Sequence, residues 1–319
     1  MMDGESSVYH CKTEIVGGSF LLEGDREKET LRTQMRKVAA FCGVEVLTYC
    51  IVSNHFHILL RTPQKSEVEG LADKDMLKRV ERIYASDKVA FFRNGFAEGG
   101  DARRKLRADL LSRMGNASLF MKELKQRFTV WYNKEHRRSG TLWGERFKSV
   151  LVQDDPLVLM TIAAYIDLNS VRAKIVTDPI QYSFCGYGEA VGGSKIARRG
   201  IASMSAGKYW GRAEKAYRLI VYGKDSAHAD ENLNKDFDVE RVRSILNAGG
   251  RVSRSEALRC RIRYFTDGAV LGSKEFVQAY FERNRDRFGA KRRDGPRVMR
   301  GSDWEGLMCL RDLRREVFG

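Results

Sequence analysis

The run from Val44 to Pro63, VEVLTYCIVSNHFHILLRTP, restricts the fold more than any other stretch of this chain. β-branched and aromatic residues crowd two strand-length segments within it. VEVLTYCIVS reads as one strand, and HFHILLRTP continues it or pairs with it until Pro63 closes the segment. This apolar run carries two of the chain's five histidines, His55 and His57, one residue apart. Side chains at i and i+2 of a strand share a face, so both imidazoles point one way and Phe56 points into the core on the other side. Neighbouring imidazoles are a ready pair of metal ligands. A His-x-His spacing is a weak signal by itself, the alternative being two histidines on an exposed sheet face, and the apolar flanks weigh against that alternative.

The rest of the chain surrounds this run with helices. Residues 7–22 look like a strand interrupted at Gly17-Gly18, and Asp25 caps a helix whose apolar residues Leu31, Met35, Val38 and Cys42 recur at helical spacing until Gly43 stops it. Residues 64–115 are charged and poor in β-branched residues, which predicts one or two helices. Asn116 starts a stronger one, with Phe120, Leu124, Phe128 and Trp131 as its stripe. RRSGTLWGERFKSVLV turns back into a strand, and Asp155-Pro156 opens the helix PLVLMTIAAYIDLNSVRA with an acidic cap and a proline in the first turn. Strand, helix, strand, strand, helix predicts an α+β fold, an antiparallel sheet flanked by helices.

Residues 1–189 are expected to form this domain and 190–237 a linker region, because AVGGSKIARRGIASMSAGK is small, polar and basic. Residues 238–319 are expected to form a small all-α C-terminal domain. There RSEALRCRIRYF and SKEFVQAYFERNRDRF, joined by the turn TDGAVLG, form a helix-turn-helix-like pair. Its Arg259, Arg261, Arg263 and Lys274 suit duplex DNA, with plain helix packing as the alternative.

Charge indicates the class of partner. Lys and Arg number 57 against 42 Asp and Glu, a net +15, and nucleic acid is the commonest polyanion that such an excess meets. Six scattered cysteines without a CxxC pair argue against a zinc ribbon and against a disulfide framework, and fit reduced thiols in the cytoplasm. No apolar run approaches a membrane span, and MMDGESSVYHCK, with neither a basic region nor an apolar core, is not expected to act as a secretory signal. The expectation is a cytoplasmic, nucleoid-associated protein with no membrane partner.

A second group of residues lies in YIDLNSVRAKIV, 165–176, where Tyr165 and Asn169 are four apart and share a helix face. By themselves they read as a half-buried tyrosine and a polar helix end. Together with the histidines they carry a resemblance. His55-Phe56-His57 matches the HUH motif of single-strand nucleases, and YIDLNSVRA is close to the Y-I-x-x-N-P-V-R-A pattern of the REP-associated tyrosine transposases, a branch of the HUH single-tyrosine transposases. GTLWGERFKSV (140–150) and VLTYCIVSNHFHILL are similar to stretches of the same branch. The resemblance spans residues 8–188 with its motifs in order. It departs at Ser170, where the branch usually has proline and where the helix end is expected to be looser, and in the length of the 64–115 insert.

The resemblance implies a ferredoxin/RRM-like HUH core and four site residues. His55, His57 and the amide oxygen of Asn169 would hold Mg2+ or Mn2+, and Tyr165 would be the nucleophile that cuts single-stranded DNA beside a hairpin, leaving a 5′-phosphotyrosine. Two imidazoles and an amide suit such an open site, whereas structural zinc would want four protein ligands. For the strand itself, Lys122, Lys125, Arg127, Lys134, Arg137, Arg138, Arg146 and Lys148 interleave with Trp131, Tyr132, Trp143 and Phe147 as a cationic, aromatic track. Arg172 joins them as a phosphate contact, and so does Lys174, each with surface charge as the alternative. His136 is a phosphate contact or plain surface. The expected function is a DNA nickase and strand transferase, a monomer or homodimer. The alternative is a domesticated hairpin-binding regulator that does not cut, and a hydrolase using water would leave Tyr165 without a role.

Overall fold

Ser7–Glu14 form β1, in which seven of eight residues are buried, as a strand in the middle of a sheet must be. In this computed structural model, which describes residues 6–205, 209–223 and 238–310, the strand is followed by a short 3-10 turn at Val16–Gly18. Gly17 and Gly18 both take positive φ there, so the expected strand over 7–22 ends at Glu14. Helix α1 (Asp25–Cys42) is capped by Gly24, one residue before the expected cap, and stops at Gly43, whose φ of 72° is left-handed. Next come β2 (Glu45–Ile51) and β3 (His55–Thr62), which pair antiparallel.

The insert holds four helices where one or two were expected: α2 (Lys65–Glu69), α3 (Asp73–Glu81), α4 (Ser86–Glu98) and α5 (Gly100–Leu111). Helix α6 (Ala117–Glu135) is capped by the Asn116 side chain, and its Phe120, Leu124 and Phe128 are fully buried. It leads to β4 (Lys148–Val152). β1, α1, β2, β3, α6 and β4 make a βαββαβ unit with spatial order β2-β3-β1-β4. Phe56, from β3, meets Trp143 edge-on at 5.6 Å, and Trp143 meets Phe128 of α6 at 6.0 Å. Helix α6 therefore covers the Phe56 face of the sheet.

The opposite face receives α7 (Pro156–Asp167), capped by Asp155 and buried at every residue from Val158 to Asp167. One further turn, α8 (Asn169–Arg172), follows after Leu168. Ser170 does not loosen this end: it is fully buried, and its hydroxyl donates to the Asp167 carbonyl at 3.1 Å.

Residues expected as a linker include two helices. After α9 (Gly186–Val191) come α10 (Lys195–Ser203) and α11 (Trp210–Tyr222). The small residues that suggested a linker serve close packing, since a Cβ at Gly200 would stand 2.5 Å from the Leu47 carbonyl oxygen. The C-terminal residues likewise depart from an all-α unit. After α12 (Val239–Asn247), α13 (Arg254–Leu258) and α14 (Arg263–Asp267), the segment expected as a turn forms β5 (Val270–Gly272), parallel to β4. Helix α15 (Lys274–Arg283), β6 (Arg297–Val298) and β7 (Met308–Cys309) complete a seven-stranded sheet, ordered β2-β3-β1-β4-β5-β7-β6. A three-residue strand buried on both faces has no alternation for sequence reading to detect. All six cysteines are buried and none is in a disulfide, and among the described residues no helix is long and apolar enough to cross a membrane.

Candidate functional site

Antiparallel pairing sets Lys12 opposite His57 and Glu14 opposite His55, so His10, Lys12, Glu14, His55 and His57 share the sheet face that α7 covers. The hairpin turn supports His55: its Nδ1 donates to Asn54 Oδ1 at 2.7 Å, and Asn54 Nδ2 donates to the Gly18 carbonyl at 3.4 Å. A neutral His55 then keeps a lone pair on Nε2. Burial, reinforced by Lys12, lowers its pKa to about 4. His57 is 2% exposed, and burial together with its two histidine neighbours drives its pKa well below the usual imidazole range. Neutral imidazoles are the form that binds cations.

Helix α7 and the turn after it bring up the remaining groups. The Asn169 amide nitrogen lies 3.0 Å from His55 Nε2, and its Oδ1 accepts from Arg172 Nη2 at 3.3 Å. The Tyr165 ring meets His57 at 6.3 Å, His10 at 6.2 Å and Phe265 at 5.0 Å, each edge-on. Arg172 sets its guanidinium 4.0 Å from the centre of the Tyr165 ring. That guanidinium also donates to the backbone carbonyls of Tyr165 (2.7 Å) and Leu258 (2.8 Å). Its hydrogen-bond acceptors are thus neutral, and burial lowers its pKa from the usual arginine value.

His55, His57, Tyr165, Asn169 and Arg172 line a cleft of about 700 Å³ together with Lys12 and Lys174. C-terminal residues complete its lining, including Arg243, Arg259 and Arg261. Arg259 and Arg261, expected on a helix turned toward duplex DNA, sit between α13 and α14 and face the cleft. Two neutral imidazoles fit a divalent cation. The amide of Asn169 presents its nitrogen to His55 and joins as an oxygen donor only after a half-turn of its plane. Among the described residues no three His, Cys, Asp or Glu side chains are placed to hold a metal ion.

The structure thus brings together Tyr165, His55, His57, Asn169 and Arg172, and it does not bring the expected basic track to them. Lys122, Arg127 and Lys134 line a separate cleft of about 800 Å³ with Trp131 and Lys37. That cleft is formed by α1, α6 and the insert residues Ile83, Ser112 and Arg113, with α6 on the Phe56 face of the sheet. Lys125 donates to the Glu145 carbonyl at 3.0 Å and lies over Trp143, and Arg127 pairs with Glu123 at 2.6 Å. Arg137 and Arg146 are exposed, and Arg138 lies 5.9 Å from the Tyr132 ring centre. Lys148 is the track residue nearest the site, since it pairs across the sheet with Lys12 and lies 3.7 Å from Asp267. His136 stacks on Tyr132 at 4.0 Å and reaches Glu27 at 3.1 Å, a helix-end contact. Sequence reasoning missed His10 and Lys12. Their only signal was the period of two that they share with Glu14.

No family model matches this chain, and no curated protein matches it. Among solved structures it is similar to one described as the REP-associated tyrosine transposase bound to a REP hairpin. The identity is 16% and the TM-score 0.36, with 60% of this chain and 84% of that chain covered, a distant likeness.

Proposed function

We propose that this protein is a metal-dependent single-strand DNA nickase and strand transferase that acts beside DNA hairpins through Tyr165. The observation that carries this reading is the meeting of Tyr165 and Asn169, from one helix end, with His55 and His57, from one strand, in a single cationic cleft.

His55 and His57 would hold Mg2+ or Mn2+ through Nε2, with the Asn169 amide beside them. When bound, the ion withdraws charge from a non-bridging phosphate oxygen as a Lewis acid. Lys12, Arg172, Arg259 and Arg261 receive the rest of the phosphate charge. The phenol oxygen of Tyr165 attacks phosphorus and its proton is released, while the bond to the 3′-oxygen breaks and that oxygen takes up a proton. The products are a 5′-phosphotyrosine and a free 3′-hydroxyl. Arg172, against the ring, stabilises negative charge as it develops on the phenol oxygen. The ester linkage is conserved, so a 3′-hydroxyl from another end reverses the step without an external energy source.

A hairpin-binding regulator that does not cut is favoured by one observation: Tyr165 is only 2% exposed, enclosed by Arg172, Phe265 and two histidines. One experiment separates the readings. A 3′-labelled single-stranded hairpin oligonucleotide is incubated with Mn2+ and either the wild-type protein or Tyr165→Phe. A covalent protein–DNA adduct with the wild type alone supports the nickase. Binding without an adduct supports the regulator, and equal cleavage by the variant refutes the tyrosine mechanism.

A further inference from the structure

We propose that His10 is a positioning residue whose hydrogen bonds to the Phe265 carbonyl and to His57 decide which nitrogen of His57 is free to bind a cation. The inference rests on the reading of His57 as a ligand. It begins with an acceptor that has no choice. His10 Nδ1 lies 2.7 Å from the Phe265 carbonyl oxygen, and a carbonyl only accepts, so Nδ1 carries the proton. Phe265 belongs to the five-residue helix α14, whose last carbonyls have no partner within the helix, so this one is available to bond outward.

His10 is 1% exposed and its two ring nitrogens meet a carbonyl and another imidazole, with no carboxylate in either hydrogen bond, so the buried ring is neutral. Its Nε2 is therefore a bare acceptor, 2.7 Å from His57 Nδ1. His57 must donate along that line. A neutral imidazole has one proton, so His57 Nε2 keeps its lone pair. The two rings stack with centroids 5.0 Å apart and planes 23° from parallel, which also limits rotation of His57. A carbonyl more than 200 residues downstream thereby selects the ligating tautomer. Such outer hydrogen bonds typically change metal affinity by about 10- to 100-fold.

The test uses the full chain, Mn2+ alone and two variants. His10→Phe keeps the ring volume and removes both hydrogen bonds. His10→Gln can still accept from His57 and donate to Phe265. Mn2+ titrations followed by electron paramagnetic resonance are expected to show affinity about 10- to 100-fold lower in His10→Phe and largely retained in His10→Gln. Long-range proton–nitrogen NMR of the histidine rings is expected to show Nδ1 protonated and Nε2 bare on both His10 and His57. Unchanged affinity in folded His10→Phe, or a proton on His57 Nε2, overturns the relay. Should wild type bind no Mn2+, the metal reading fails, and the tautomers still decide the relay separately.

Discussion

Arg172 spreads a planar fork over one ring and donates to two backbone carbonyls, one of them at Leu258 in the C-terminal region. Lysine can supply the charge but not the plane or the paired donors. Arg172→Lys is therefore expected to keep DNA affinity within a few-fold, while single-turnover cleavage falls about 100-fold, the usual result of misplacing a reacting group by about 1 Å. Equal rates would remove Arg172 from the alignment of Tyr165. Phe20 offers a different prediction. Its ring is 65% exposed, two residues from Gly18, which lines the cleft and is bonded to Asn54. An exposed ring there can stack on a base, a contact worth about 1–3 kcal/mol. Phe20→Ala is expected to weaken single-strand binding about 5- to 150-fold in anisotropy titrations and leave Mn2+ binding unchanged. The pairing of His55 with His57 could be read from their spacing, because a strand's period acts over two residues. His10 could not, because its partners come from β3 and α14.

Between elements, Asp167 ties α7 to the rest of the fold. Its carboxyl accepts from Thr48 of β2 at 2.9 Å, from the Tyr187 backbone N–H of α9 at 3.2 Å and from the Tyr217 hydroxyl of α11. Asp167→Ala would strand these buried donors at about 1–3 kcal/mol each, so urea denaturation is expected to show a loss of at least about 3 kcal/mol. A loss under 1 kcal/mol would mean that the donors find other partners. Gly200 marks the direct contact of α10 with β2, where its missing Cβ lets the helix approach the Leu47 carbonyl. Gly200→Ala is expected to cost about 1–3 kcal/mol by the same measurement, although alanine is the better helix former. Helix α7 was legible because Asp155-Pro156 is a local signal. Helix α10 looked like a linker because small residues serve loops and close packing alike.

At the scale of the molecule, the buried histidines make stability depend on pH. Burial lowers the pKa of His10 from 6.5 to about 4, so between those values the unfolded chain takes up a proton that the folded chain does not. Stability is then intact above pH 6.5 and lost as pH falls toward 4, by about 3 kcal/mol from His10 alone. His55 and His57, also lowered, act in the same direction. Asp167 opposes them, because burial raises its pKa to about 7 and the folded chain holds its proton where the unfolded chain releases one. Three imidazoles outweigh one carboxyl. Urea midpoints are expected to fall steadily from pH 7 to pH 5, and less steeply in His10→Phe; a flat wild-type profile would contradict the burial of these rings. The sequence by itself determined the α+β class, the shared face of His55 and His57, and the helix that carries Tyr165, all of which follow from periodicity and capping within a few residues; that Asn169 opens a separate turn after Leu168 it did not. Only the tertiary structure decided that residues 254–272 pack against β1, β4 and α8, that Arg259 and Arg261 line the cleft of the histidines, and that Lys122 and Lys134 of α6 line another. Such contacts join residues far apart in the chain, and the packing that selects them depends on the volume and hydrogen-bonding capacity of the whole core, which no local pattern records.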